Sequence, residues 1–180
     1  MTRTRAWRRR SSRYLFESPW FRLRQDELTL PGGEEITYTL VEHGGYVVVV
    51  PLLEDGRVVM ERVYRHTLER SLLECPSGGN DGEPGEVAAR RELEEETGYR
   101  AGRLEPLGRF HGSTGISNEF FEVFLATQVT ADGRILREPT EEIEVVLVPL
   151  GELVSQARAG RIEHAPSALA ILLAAARTGP

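Results

Sequence analysis

The chain has 180 residues, 40% of them hydrophobic, and a formal net charge of −6 at pH 7. That is enough for one domain with a sizeable core and a small appendage, and the acidic balance argues against general nucleic-acid affinity. A single cysteine, Cys75, excludes an internal disulfide framework and makes a reducing cytoplasm the expected location.

Residues 1–13 are strongly basic and read as a solvated, disordered arm. No apolar h-region follows, and no apolar run of about 18 residues occurs anywhere, so neither a secretory signal nor a membrane span is expected. Residues 14–43 carry a β pattern. The stretches 20–30 and 35–41 are rich in Phe, Leu, Ile, Tyr and Thr, with a turn at Pro31, Gly32 and Gly33. An antiparallel hairpin is expected here, and because a lone hairpin is marginal in water it must pack on something.

Residues 45–53, GYVVVVPLL, form a nearly continuous apolar run, as a strand buried on both faces requires. Pro51 marks its end or an edge, since proline cannot donate to the ladder. Glu54, Asp55 and Gly56 turn the chain, and 57–63 returns as a strand. Cys75 follows Leu72 and Leu73 and reads as a small buried hydrophobe rather than a nucleophile. Further strands are expected at 101–110, 120–127 and 145–148, and helices at 150–158 and 167–177, with Ala and Leu on their core faces. His111 reads as a strand-end or loop residue, since no other His lies at ligand spacing.

The most informative stretch is 74–99, ECPSGGNDGEPGEVAARRELEEETGY. Pro84 suits a helix start, where a missing N–H costs nothing, and Gly98 suits the left-handed position just past a helix end. Between them Ala88, Ala89 and Leu93 can face a core, while Glu92, Glu95 and Glu96 fall three and four residues apart on one side. Like charges so placed repel, and a solvated acidic face partnered by Arg90 and Arg91 is the bland interpretation. A site for hard divalent cations explains more, because such ions take oxygen ligands and the Gly-rich loop ahead can bring backbone groups close to a metal or phosphate.

Glu83, seven intervening residues, then Arg91, Glu92, Leu93, Glu95, Glu96, Gly98 and Tyr99 resemble the Nudix box, G-x5-E-x7-R-E-U-x-E-E-x-G-U, the signature of the Nudix hydrolases. Every fixed position from Glu83 onward is met. The leading glycine is not: Ser77 occupies its place and Gly78 follows one residue late. The resemblance implies an α/β fold, a Nudix-type α/β/α sandwich with a mixed β-sheet over residues 44–180, with the N-terminal hairpin of 14–43 as an added element.

The likeness extends to the branch that cleaves ADP-ribose and related nucleotide sugars. There the N-terminal β-element helps build a homodimer, and Tyr38 would offer a ring to a base, with cross-strand packing as its alternative role. The branch shows Q-x-R, then E-x-P-A-G entering the box. Here Val63-Tyr64-Arg65 keeps the Arg, and Glu74-Cys75-Pro76-Ser77-Gly78 has Ser for Ala. By that match Arg65 and Glu74 contact substrate, Arg65 reading a phosphate as a bidentate fork. A surface Arg and a strand-end Glu are the alternative. Ser113, Gly115, Ser117 and Glu119 match the branch's segment after the box, which places Ser113 and Glu119 at the substrate, but Thr114 stands where it has proline.

By the same resemblance Glu92, Glu95, Glu96 and the Ser77 carbonyl hold Mg²⁺ or Mn²⁺, and Glu83 pairs with Arg91 to hold the loop against the helix. A carboxylate from the loop 134–144 acts as base. Glu141, Glu142 and Glu144 are candidates, with Glu142 favoured. The expected activity is hydrolysis of the diphosphate of a nucleoside diphosphate linked to another moiety, ADP-ribose or a related sugar first. Other Nudix substrates (a nucleoside triphosphate, dinucleoside polyphosphate, coenzyme A or NADH) and a non-catalytic nucleotide-sugar sensor are the alternatives. The intact Arg91-Glu92…Glu95-Glu96 set argues against the sensor.

Overall fold

The computed structural model describes residues 6–137 and 142–179. It divides into two compact units, residues 1–44 with 111–120, and residues 45–110 with 121–180.

The first unit is built on a three-stranded antiparallel sheet in the order β1-β2-β3, with β1 Arg8–Glu17, β2 Phe21–Thr29 and β3 Glu35–His43. A two-stranded hairpin was expected, and a third strand, β1, completes the sheet. The arm expected over 1–13 is therefore corrected from Arg8 onward. Its charge run is compatible with a strand because the neighbouring strands supply acceptors: Arg10 donates to Glu35, Ser12 to Asp26 at 2.6 Å and Arg13 to Gln25. The segment 111–120 bonds to β3, with Val41 N–H donating to the Ile116 carbonyl at 2.7 Å and Tyr38 Oη donating to the Gly115 carbonyl.

The second unit holds two sheets, β10-β5-β6 and β7-β4-β9-β8. Their strands are β4 Gly45–Pro51, β5 Arg57–Arg65, β6 Arg70–Glu74, β7 Ser77–Gly79, β8 Arg100–Phe110, β9 Phe120–Thr130 and β10 Ile143–Pro149. Three helices complete it: α1 Gly85–Thr97, α2 Leu150–Arg158 and α3 Ala165–Thr178. Strand β4 explains its own sequence. Val47 and Val49 pack with Ala88, Ala89 and Leu93 of α1, while Val48 and Val50 pack with Leu153 of α2 and Ala170 and Ile171 of α3. All four valines are fully buried, each burial contributing about 1.5–3 kcal/mol. A sheet with α1 on one face and α2 and α3 on the other is the expected sandwich.

Strand β9 alternates in the same way, Phe121, Val123 and Leu125 toward α2 and α3, Phe124 and Ala126 toward α1. Val129 also packs on the α1 side, out of phase with this alternation and next to Gln128, whose backbone is left-handed with φ 54°. In the second unit two strands had no counterpart in the sequence analysis, β6 and β7. Glu144, expected in the loop before a strand at 145, lies within β10 opposite Arg62, with which it forms a 3.3 Å ion pair. Among the described residues no helix is long and apolar enough to cross a membrane.

Candidate active site

Helix α1 begins after Pro84 and ends at Gly98, whose φ of 75° is the left-handed conformation a glycine adopts without strain. Ala88, Ala89 and Leu93 bury one side. The other turns Glu92 and Glu96, 8% and 6% exposed, toward β7. Strand β7 is only Ser77, Gly78 and Gly79, held by pairing with Val48, Val47 and Tyr46 of β4. Each of its residues meets the helix. Ser77 N–H donates to Glu96 Oε2 at 2.9 Å, and the Gly79 carbonyl accepts from Arg91 Nη2 at 2.9 Å. A Cβ on Gly78 would lie 2.2 Å from Glu92 Cδ and Oε2. The position at which this site requires glycine is thus 78, which gives the one-residue departure from the Nudix box a physical meaning.

Arg91 is the centre of the charge network. Its Nη1 lies 2.7 Å from Glu92 and 3.3 Å from Glu95, its Nε 3.3 Å from Glu83 and its Nη2 3.4 Å from Asp81. Partial burial works against this charge, but Glu92 and then Glu83 and Glu95 raise its pKa well above the ordinary arginine value. The expected Glu83–Arg91 pair is present. The expected three-carboxylate ligand set is not assembled as such: among the described residues no three Asp, Glu, His or Cys side chains converge as a ready-made metal cage. A guanidinium occupies the space between Glu92 and Glu95, and Glu96 is engaged with β7. The donor set still fits a hard cation. It is all oxygen, it is nearly buried at Glu92 and Glu96, and it already surrounds a positive charge.

Arg65 and Glu74 meet each other. Arg65 Nε and Nη2 donate to Glu74 Oε1 and Oε2 at 2.8 and 2.6 Å, the bidentate fork that had been assigned to a phosphate. Glu74 is fully buried and its Oε2 also lies 3.2 Å from His164 Nδ1, so it acts here by holding Arg65. The bond to Glu74 raises the Arg65 pKa, with smaller help from Glu96 and Glu61. Burial lowers the His164 pKa, opposed by Glu74. Ser167, also buried, accepts from Cys75 N–H at 2.8 Å and lies 2.8 Å from His164 Nδ1. Burial pushes the Cys75 thiol up to about 12, in keeping with an inert core residue. His164 and Ser167 were missed in the sequence, where only Ser167 was placed, at the start of a helix, and the structure makes His164 the residue that caps it.

Ser113 and Glu119 belong to the first unit. The Ser113 carbonyl accepts from Ile116 and Ser117 N–H at 3.0 and 2.9 Å, and Glu119 lies 3.7 Å from His43. His111 Nδ1 lies 2.9 Å from the Glu119 carbonyl, as befits a loop residue. Glu142 is exposed, its carbonyl accepting from Tyr64 N–H at 3.4 Å, while Glu141 lies outside the described residues.

The Nudix domain family matches residues 42–169, and the nucleoside diphosphate sugar hydrolase N-terminal domain matches residues 7–41. An ADP-ribose pyrophosphatase of Bacillus subtilis (strain 168) is 35% identical over 149 residues, covering 81% of this chain and 80% of its own. One of Mycobacterium tuberculosis (strain H37Rv) is 40% identical over 126 residues, covering 69% of this chain and 61% of its own. Among solved structures, an ADP compounds hydrolase superposes with a TM-score of 0.81 at 22% identity, over 93% of this chain and 91% of that one. With its box closed by α1 on β7 and the family matched across most of its length, the chain belongs to the Nudix family and is an enzyme of the pyrophosphatase kind.

Proposed function

We propose that this enzyme hydrolyses the diphosphate bond of a nucleotide sugar, with ADP-ribose the first candidate, giving AMP and ribose 5-phosphate. The observation that carries the proposal is the carboxylate face of α1 closed on β7, with Glu96 bonded to Ser77 and Glu92 seated over Gly78. The choice of a nucleotide sugar is supported by the matched N-terminal domain and by the activities named for its relatives.

Glu92, Glu95 and Glu96, with the Ser77 carbonyl, are the residues that would hold Mg²⁺ or Mn²⁺. A bound ion supplies charge neutralisation of the diphosphate and a more acidic water. Arg91, bonded to Glu83 and to the Gly79 carbonyl, would keep the loop against the helix with such an ion bound. Arg65, held in plane by Glu74, presents its remaining Nη1 to a phosphoryl oxygen. Glu142 takes the proton of the attacking water as the bond to phosphorus forms. The leaving phosphate departs with the anhydride oxygen.

Product release from a panel (ADP-ribose, ADP-glucose, GDP-mannose, NADH, coenzyme A, ATP and diadenosine polyphosphates) tests the reading, each with Mg²⁺, Mn²⁺ or EDTA. Preference for a nucleotide sugar, abolished by EDTA, is expected. Preference for another diphosphate, or turnover that survives EDTA, would overturn it. The homodimer is part of the same proposal. Exposed Tyr14, Leu15, Phe16 and Trp20 on and beside β1 favour it, and a monomer in light scattering with the sheet intact would remove it.

A further inference from the structure

The last carbonyls of an α-helix have no partner within it and must find one elsewhere. In α1 Gly98 N–H takes the Glu94 carbonyl, and a single downstream segment takes those of Glu95 and Glu96 together with the Gly98 carbonyl just beyond and the Glu94 side chain. Leu136 N–H donates to the Glu95 carbonyl at 2.9 Å, Gly133 N–H to the Gly98 carbonyl at 2.9 Å, and Arg134 N–H to Glu94 Oε1 at 3.1 Å. The Glu96 carbonyl is taken by a side chain, Arg137 Nε, at 2.7 Å. The same guanidinium reaches across with Nη1 to the Ile143 carbonyl at 2.8 Å. Ile143 directly follows Glu142 and opens β10. One planar group therefore ties the backbone of Glu96 to the backbone beside Glu142.

From this geometry we infer that Arg137 is a positioning residue for the base, fixing the backbone next to Glu142 against the helix that carries Glu92, Glu95 and Glu96. The inference rests on the functional reading above. Arginine suits the task because its fork is rigid and offers several donors in one plane, whereas a lysine ammonium is a point charge on a flexible stem. Neither carbonyl partner titrates, so the link holds across the pH range. Arg137 touches neither substrate nor the reacting atoms in this account. It acts only through the placement of Glu142, where small displacements are costly to a reaction that depends on orientation.

A double-mutant cycle tests this, with Arg137→Ala, Arg137→Lys and Glu142→Gln assayed on the preferred substrate of the wild-type enzyme. Arg137→Ala is expected to lower kcat about 10- to 100-fold with KM little changed, and Arg137→Lys to fall between it and wild type. In the Glu142→Gln background Arg137→Ala is expected to cost almost nothing more, since the group it places is gone. A purely structural role for Arg137 would instead lower kcat by the same factor in both backgrounds, and that additivity overturns the inference, as does wild-type kcat in Arg137→Ala. If Arg137→Ala fails to fold, Arg137→Lys carries the cycle with the same two outcomes. A wild-type enzyme that turns over nothing on the panel overturns the functional reading and this inference together. Active wild type with an additive cycle overturns this inference alone.

Discussion

Glu96→Gln is expected to lower kcat by about three orders of magnitude while the protein stays folded. The substitution is isosteric, and the amide oxygen can still accept the Ser77 N–H that Glu96 Oε2 accepts at 2.9 Å. What is lost is the negative charge, and with it the strength of a charge-assisted bond, about 1 kcal/mol of stability at most. Packing around Leu93 and Ala89, both fully buried, is untouched. The loss of turnover would then be the loss of a ligand rather than of the fold. Steady-state kinetics beside thermal denaturation checks this, and a kcat within tenfold of wild type would mean that Glu96 only fastens β7.

Gly78→Ala is expected to be nearly as damaging, at about 100-fold in kcat or more. A methyl group at this position would sit 2.2 Å from Glu92 Cδ and 2.4 Å from Oε1, far inside any real contact. Glu92 cannot move freely, being 8% exposed and tied to Arg91 Nη1 at 2.7 Å. Either the carboxylate leaves its place or β7 pulls away from β4, and both dismantle the site. Gly79→Ala is the control on the same strand. Its new methyl group meets only Asp81 Oδ1 at 3.2 Å, on a side chain that is 77% exposed and can yield. Activity near wild type in both variants would show that Glu92 is not held over Gly78 in the working enzyme.

Where local chemistry decides the conformation, the sequence was sufficient. Pro84 and Gly98 bracket α1 because one lacks an N–H and the other accepts φ 75°. The valines of β4 reveal a strand covered on both faces because both faces are covered. The Glu83–Arg91 pair, implied by the resemblance to the Nudix box, is present at 3.3 Å. What was hidden depends on partners distant in sequence. Strand β7 is a Ser and two Gly with no strand propensity of their own, extended only because β4 lies beside them. Strand β1 reads as a solvated run of arginines until the acids of β2 and β3 are brought alongside.

The site was legible in its parts and not in their pairings. Arg65 and Glu74 were both singled out for a substrate, yet the hairpin of β5 and β6 turns them onto each other, and His164 reaches Glu74 from 90 residues along the chain. Nothing near Arg137 in the sequence announces that it joins the Glu96 and Ile143 carbonyls, because both acceptors are backbone groups and carry no residue signature. Glu144, a candidate base beside the favoured Glu142, is separated from it by strand pairing, which directs it to Arg62.

The central claim is that β7 and the carboxylates of α1 form one cation site, and Mn²⁺ binding measured by electron paramagnetic resonance without substrate tests it most directly. Wild-type protein is expected to bind Mn²⁺ saturably, and Glu96→Gln to bind it about tenfold more weakly or worse. Equal affinity in the two proteins, or no saturable binding by the wild type, would contradict it.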